Sequence, residues 1–364
     1  MKKKLFILLG IMLVLILGST IVAAITGKEA KEKDKLTIVT SFYPMYLLAQ
    51  NITDGAKVEV INLTEYEIGC LHDYQLTTLD MQKLEAADVF IMNGGGMESF
   101  ADDILNAYPD LSVINASEGI EYLLTKGHDH AHEEDEEHEE DEDYVEDEEH
   151  VEDEDQTDYA DHVDDAEDAE DAALEGGTEI SADNESDEHE DEELENNAHV
   201  WLNMNYYLQQ IQTVQDAMAK LDPENANIYQ ENGNQYQEKV QVLKAELEST
   251  LKGVEGEEVV IFHDAFAYLA QELGLEVIFT VNLDGDYALS AGDVAEAIDE
   301  VNLHQIKVLF TEEQYSTTIA DSIAKETGAT VYVIDSLVTG DLNKDAYLTA
   351  MKNNIKVLQQ ALGK

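Results

Sequence analysis

Eight short runs of β-branched and apolar residues, interleaved with stretches of helical periodicity, constrain this chain more than any other feature. Four lie in the first half: "KLTIVTS" (35–41), "KVEVINL" (57–63), "ADVFIMN" (87–93) and "LSVINAS" (111–117). Four more follow in the second: "EVVIFHD" (258–264), "LEVIFTV" (275–281), "IKVLFTEE" (306–313) and "ATVYVID" (329–335). Runs this short and apolar suit strands covered on both faces, and segments such as "TTLDMQKLEAA" between them supply the helical crossovers that parallel strands require. The pattern predicts an α/β fold of two lobes, each with a four-stranded, mostly parallel sheet. A length of 364 residues accommodates both. "SAGD" at Ser290–Asp293 reads as a capping box ahead of a helix carrying Val294, Ile298 and Val301.

Between the halves lies "LDPENANIYQENGNQYQEKVQVLKAELESTLKG". Asp222 suits an N-cap, Pro223 the first helical position, and Tyr236, Val240, Leu243, Leu247 and Leu251 recur at helical spacing before Gly253 stops the run. One long helix over 223–253 is expected to join the lobes, reaching roughly 45 Å at 1.5 Å per residue.

The ends of the chain's charge distribution say where it works and what it avoids. "MKKK" is a basic start, and Leu5–Ile25 is an uncharged apolar run, so the chain reads as exported, with 1–27 as the export segment. The run suits a cleaved signal, with "VAA" at Val22–Ala24 as a cutting site, and equally a retained membrane anchor at the cell surface. The only cysteine, Cys70, is too far away to carry an N-terminal lipid, and it leaves no disulfide to form. The formal net charge is −61, and the sequence contains no Arg, so the forked cation that grips phosphates is missing. Nucleic acid and anionic substrates are thereby poor partners, and cations good ones.

Of the 81 acidic residues, 38 fall between His128 and Ala198, where no Lys balances them. Such a segment cannot bury enough apolar surface to fold, so 128–198 is expected to be a disordered insertion in the first lobe. Without histidines it would read as a solubilising linker. With His128, His130, His132, His138, His150, His162 and His189 it offers imidazoles among carboxylates, the mixture that gathers divalent metals weakly. The remaining segments give an N-terminal lobe of 36–127 with 199–222 and a C-terminal lobe of 257–364.

Four histidines lie outside the acidic run: His72, His199, His263 and His304. His72 follows the second strand and opens a helical stretch, His263 ends the first strand of the second lobe, and Asp335 ends its last strand. Ligands of open α/β sheets bind beyond the carboxyl ends of the strands, where these residues can converge. A single histidine is more often packed or solvated than a ligand, and His304, in a helix-to-strand connection, fits that description. His199, in "ENNAHVWLN", reads either as the last member of the acidic run or as the first residue of an ordered site.

The segments "HDYQLTTLDMQKLEAADVFIMNGGGMESF", "HVWLN", "LDPENANIYQENGNQY", "FHDAFAYLAQELGL" and "LFTEEQYSTTIADSIAKETGATVYVID" occur in the order found in the metal-specific family of ABC-transporter solute-binding proteins. The chain resembles that family from Leu36 to Leu362, the acidic insertion excepted. The resemblance implies two α/β lobes on a backbone helix, one divalent ion held between them for delivery to an ABC permease, and His72, His199, His263 and Asp335 as its ligands. It also assigns His199 to the site and matches the insertion to the acidic, His-rich loop of zinc-type members. Two features depart from the pattern. The N-terminal lipid-bearing Cys of many members is absent, and the Glu that some zinc-type members carry before the first ligand is Leu71 here. Cys70, two residues from His72, could in principle coordinate zinc, but reads first as a small buried thiol.

Three imidazoles and one carboxylate suit tetrahedral zinc, whereas manganese favours oxygen-rich shells of higher coordination. The resemblance points the same way, because manganese-type members commonly carry Glu where His263 stands. Zinc is the expected ion, with manganese or iron second, and four protein ligands make a carrier rather than a catalytic site, which keeps a position open. A secreted zinc hydrolase is the rival from another class, but the chain has no H-E-x-x-H helix, and Glu312 is its only evident base. In a carrier, Glu312 holds a ligand or the helix that follows. A surface adhesin or metal store built on the insertion is a third reading.

Overall fold

The computed structural model describes residues 35–66, 68–126, 194–281, 289–312 and 317–363. The expected export segment and the seven histidines of the insertion lie outside those residues. Among the described residues, no helix is long and apolar enough to cross a membrane.

The first sheet contains β1 (Leu36–Thr40), β2 (Val58–Asn62), β3 (Val89–Met92) and β4 (Ser112–Asn115), ordered β2-β1-β3-β4 with every ladder parallel. Helices α1 (Tyr43–Thr53), α2 (Thr78–Ala86) and α3 (Ala101–Ala107) make the crossovers. Helix α2 starts at a capping box in which Thr77 and Asp80 satisfy each other's backbone N–H groups. The second sheet contains β7 (Glu258–Ile261), β8 (Glu276–Thr280), β9 (Val308–Glu312) and β10 (Thr330–Ile334), ordered β10-β9-β7-β8, again parallel throughout. Here α6 (Phe266–Leu273), α7 (Ala291–His304) and α8 (Thr318–Thr327) are the crossovers, and α9 (Ala346–Leu362) closes the chain. The capping box expected at Ser290 and Asp293 starts α7, while Gly274 and Gly328 end α6 and α8 in the left-handed conformation. All eight strand runs of the sequence are strands, and the two-sheet α/β architecture is the one expected.

Two features differ from the expectation. A further two-stranded ladder forms from β5 (Leu123–Lys126) and β6 (Leu194–Asn197), so an ordered strand lies at the base of the acidic segment. The long helix expected over 223–253 is α5 (Ala226–Thr250), three residues shorter at each end, and it is preceded by a second long helix, α4 (Met204–Leu221), which packs on it. Asp222 ends α4, and its Oδ2 accepts from Asn225 Nδ2 at 2.7 Å and Tyr229 OH at 2.6 Å; the next helix therefore starts three residues later than an Asp222 cap would place it. The buried face of α5 carries Tyr229, Gly233, Tyr236, Val240, Leu243 and Leu247, the period of an amphipathic helix.

One apolar core unites residues of both sheets. Trp201 sits at its centre, fully buried: its ring meets Phe42 edge-on at 5.2 Å, its Nε1 donates to Ser336 O at 2.8 Å, and its carbonyl accepts from Tyr347 OH at 2.9 Å. Burial of a side chain of that size, with its one polar group satisfied, fixes the short 3₁₀ turn Val200–Leu202 and with it the residue just before the turn, His199.

Candidate metal centre

The order of each sheet reverses beside its central strand, and in the second sheet the reversal lies between β7 and β9. Open sheets bind ligands at the carboxyl ends of such strands. Phe262 N extends β7 by donating to Phe310 O at 2.8 Å, and His263 follows as the chain leaves the sheet. Glu312 is the last residue of neighbouring β9. His263 and Glu312 therefore meet, with 2.5 Å between His263 Nδ1 and Glu312 Oε2, and Ser336 Oγ donates to the other oxygen, Oε1. Both residues are buried. A carboxylate accepts only, so Nδ1 carries the proton, and in the neutral ring Nε2 keeps the lone pair.

His199 reaches the same point from the other direction. Asn197 Nδ2 donates to Asp264 O at 2.8 Å, which fixes that amide's orientation and leaves Oδ1 as the acceptor. Oδ1 then takes His199 N at 3.1 Å and His199 Nδ1 at 2.9 Å. Nε2 of His199 again bears the lone pair. The rings of His199 and His263 lie 4.8 Å apart, edge to face. Asp264 is 5% exposed, and its Oδ1 has no hydrogen-bond partner; it stands 3.5 Å from His199 Nδ1 and 3.5 Å from His263 Nε2.

The segment before His199 is tied on both sides. Asn93, after β3, donates to Ala198 O at 2.9 Å, and its own backbone N–H is held by buried Glu98, as is that of Gly94. Desolvation pushes the Glu98 carboxyl above its ordinary pKa. Gly94 has φ +87, and a Cβ there would lie 2.2 Å from Asn115 Oδ1, so the turn presenting these amides needs glycine. Tyr268 OH donates to Asn197 O at 2.6 Å and accepts from Leu123 N at 3.0 Å, linking the β5–β6 ladder to the centre.

His72 lies in the loop between β2 and α2, five residues before the Thr77 cap rather than in the opening turn of a helix. Its ring is 5.2 Å from that of His199. Asp335 follows β10; its Oδ1 accepts from Leu337 N at 2.7 Å and its backbone N–H donates to Asn354 Oδ1 at 2.9 Å. His304 is on the surface at the end of α7, near Glu258 and Glu300. Among the described residues, one group of three potential ligands comes together: Cys70, His199 and His263, with ligand atoms all within 4.8 Å of one another. Cys70 Sγ lies 3.3 Å from His199 Nε2. His199 and His263 are thus brought together, and the His72 ring stands 5.2 Å from that of His199. Asn197 and Asp264 were not selected by sequence reasoning, and Cys70 was weighed beside His72 but read as a packed thiol; the pair His263-Asp264 was visible in "FHD", whereas nothing local to Cys70 marks its approach to a residue 129 positions away.

A family described as zinc-uptake complex component A, periplasmic (ZnuA), matches residues 38–361. The high-affinity zinc uptake system protein ZnuA of Bacillus subtilis is 28% identical over 345 residues, covering 92% of this chain and 90% of that protein. The zinc-binding protein AdcA of Streptococcus pyogenes is 24% identical over 370 residues, 99% of this chain; the chain spans only 61% of that relative's length. Among solved structures, the Mn2+ complex of the solute-binding protein FpvC from Pseudomonas aeruginosa superposes with a TM-score of 0.67 over 90% of this chain and 98% of that one, at 22% identity, a likeness of fold.

Proposed function

The chain belongs to the family described as zinc-uptake complex component A, periplasmic, and on that premise we propose that it is an extracytoplasmic carrier that captures one zinc ion at the His199–His263 centre and delivers it to an ABC permease for uptake. The imidazoles of His72, His199 and His263 hold the ion, together with one anionic ligand, for which the family resemblance offers Asp335. The observation that carries this reading is the pair of fully buried imidazoles, each with Nδ1 bound to a fixed oxygen, whose ligand atoms lie within 4.8 Å of each other and of the Cys70 thiol. Buried histidines oriented in this way are prepared to bind a metal before it arrives. Zinc suits a nitrogen-rich, compact shell better than manganese does. Relatives in two bacterial genera named for zinc support the same choice.

The hydrolase reading fares worse for a specific reason. Glu312, its one candidate base, accepts from both His263 and Ser336, so it orients a ligand instead of facing a substrate water. In the carrier, segment 1–27 directs export and, uncleaved, tethers the protein to the membrane. Segment 128–198 gathers cations through its charge, and its imidazoles and carboxylates offer weaker sites than the buried pair.

The test is a zinc titration against a competing chelator, followed by thermal melts. One tight zinc per chain is expected, with stabilisation of about 4 kcal/mol at a thousandfold excess over Kd. His199→Ala and His263→Ala remove it. A melting temperature indifferent to zinc at neutral pH contradicts the proposal. Loss of permease-dependent zinc uptake on deletion of the protein separates the carrier from a hydrolase or a surface store, neither of which needs a permease.

A further inference from the structure

We propose that Cys70 is a ligand of the transported ion, its thiolate binding together with Nε2 of His199 and of His263, so that the anionic place in the shell is filled by sulfur and the site selects soft divalent ions that accept tetrahedral geometry. The inference rests on the metal-carrier reading and refines it by replacing the carboxylate of Asp335.

Distance is the first argument. Bond lengths of about 2.3 Å to sulfur and 2.0–2.1 Å to imidazole nitrogen put the ligand atoms of a tetrahedral zinc roughly 3.3–3.6 Å apart. Cys70 Sγ and His199 Nε2 are 3.3 Å apart, and the ligand atoms of Cys70, His199 and His263 all lie within 4.8 Å. Small rotations of side chains close the remainder.

Placement is the second. Gly69 has φ +83, and Leu71 is fully buried, with its N–H directed at Met97 Sδ at 3.4 Å. The chain turns at Gly69 and is anchored at Leu71, which keeps the thiol against the imidazoles.

Charge is the third, and it is independent of the cysteine. Asp264 Oδ1 is buried without a hydrogen-bond partner and stands 3.5 Å from nitrogens of both imidazoles. A buried carboxylate oxygen without a donor is costly, and a divalent cation bound at the neighbouring His263 Nε2 relieves that cost. Neither Asp335, whose Oδ1 accepts from Leu337 N at 2.7 Å, nor His72 enters the group of close ligand atoms, but the His72 ring lies 5.2 Å from that of His199. With His72 as the fourth ligand, the shell is one sulfur and three nitrogens, ligand types that suit tetrahedral zinc and suit manganese poorly. On binding, the zinc–sulfur bond forms and the thiol proton passes to solvent.

The test loads the wild-type protein and Cys70→Ser with cobalt(II) and records their near-ultraviolet and visible spectra, with zinc and manganese affinities measured by competition. The expected result is a thiolate-to-cobalt charge-transfer band in the wild type, absent from Cys70→Ser although cobalt still binds. Zinc affinity of the variant is expected to fall by at least about tenfold, the lower bound for losing even an outer-shell partner, while manganese affinity falls less. Because Cys70 is the only cysteine of the chain, the wild-type band can come from no other residue, and the reading does not depend on the variant folding. Cobalt bound without such a band overturns the proposal and leaves the carrier standing, the thiol then being only a hydrogen-bond neighbour of His199. A wild-type protein that binds neither cobalt nor zinc overturns the carrier reading itself.

Discussion

Replacing Glu312 by Gln isolates the contribution of a residue that holds a ligand without touching the ion. Glu312 Oε2 is 2.5 Å from His263 Nδ1 while Oε1 accepts from Ser336 Oγ, and Glu312 and His263 are both fully enclosed. A hydrogen bond to a charged group contributes about 1.5–3 kcal/mol, and outer-shell partners of ligating histidines are worth about 10–100-fold in metal affinity, or about 1.4–2.8 kcal/mol. The amide keeps the size of the side chain but offers one acceptor where two donors converge. His263 therefore loses either its fixed tautomer or its orientation, and Nε2 becomes a poorer donor to the metal. Glu312→Gln is expected to raise the zinc Kd by about 10–100-fold, with a circular dichroism spectrum like that of the wild type. The assay is chelator competition at neutral pH. An unchanged Kd refutes the orienting role; a loss as complete as that of His263→Ala makes Glu312 a ligand and refutes the geometry argued for it.

Other perturbations follow from the same contacts. Asn197→Ala removes the acceptor of His199 N and Nδ1 and the donor to Asp264 O, and is expected to lower unfolding free energy by about 1–3 kcal/mol and to weaken zinc binding, read by denaturant titration and competition. Trp201→Ala empties the centre of the core and is expected to cost about 3–5 kcal/mol in denaturant unfolding of the metal-free protein; a cost below about 1 kcal/mol contradicts the packing described. Glu272, which accepts from Met204 N at the start of α4, has its pKa raised by burial from 4.5 to about 7. The native state holds that proton where the unfolded chain has released it, so this contribution to stability is complete below about pH 4.5 and is lost as pH rises through about 7. Glu272→Gln is therefore expected to gain stability relative to the wild type between pH 5 and 8, measured as the difference in melting temperature at the two ends; a constant difference contradicts the shift.

The sheets were legible because buried parallel strands leave continuous β-branched runs such as "VFIM" and "TVYVI", with caps and glycines marking the helices between them. Strand β6, "LENN", carries no such signal; it is ordered by its partner β5 and by Tyr268 holding Asn197, contacts invisible in its own composition. The start of α5 was misplaced because Asp222 and Pro223 form a plausible local cap, yet Asp222 spends its carboxylate on Asn225 and Tyr229 across the turn. At the centre, His263 was accessible from its strand end and His199 only from the resemblance. Cys70 was set aside as a small buried thiol because its neighbours in sequence say nothing of His199, which only the folded chain brings to 3.3 Å.

The central claim is that the paired imidazoles of His199 and His263 hold the transported ion. An anomalous difference map collected at the zinc edge from crystals of the zinc-loaded protein tests it most directly. The account predicts one strong peak per chain at about 2.0–2.1 Å from Nε2 of both residues. A strong peak elsewhere, or bonded to neither imidazole, would contradict it.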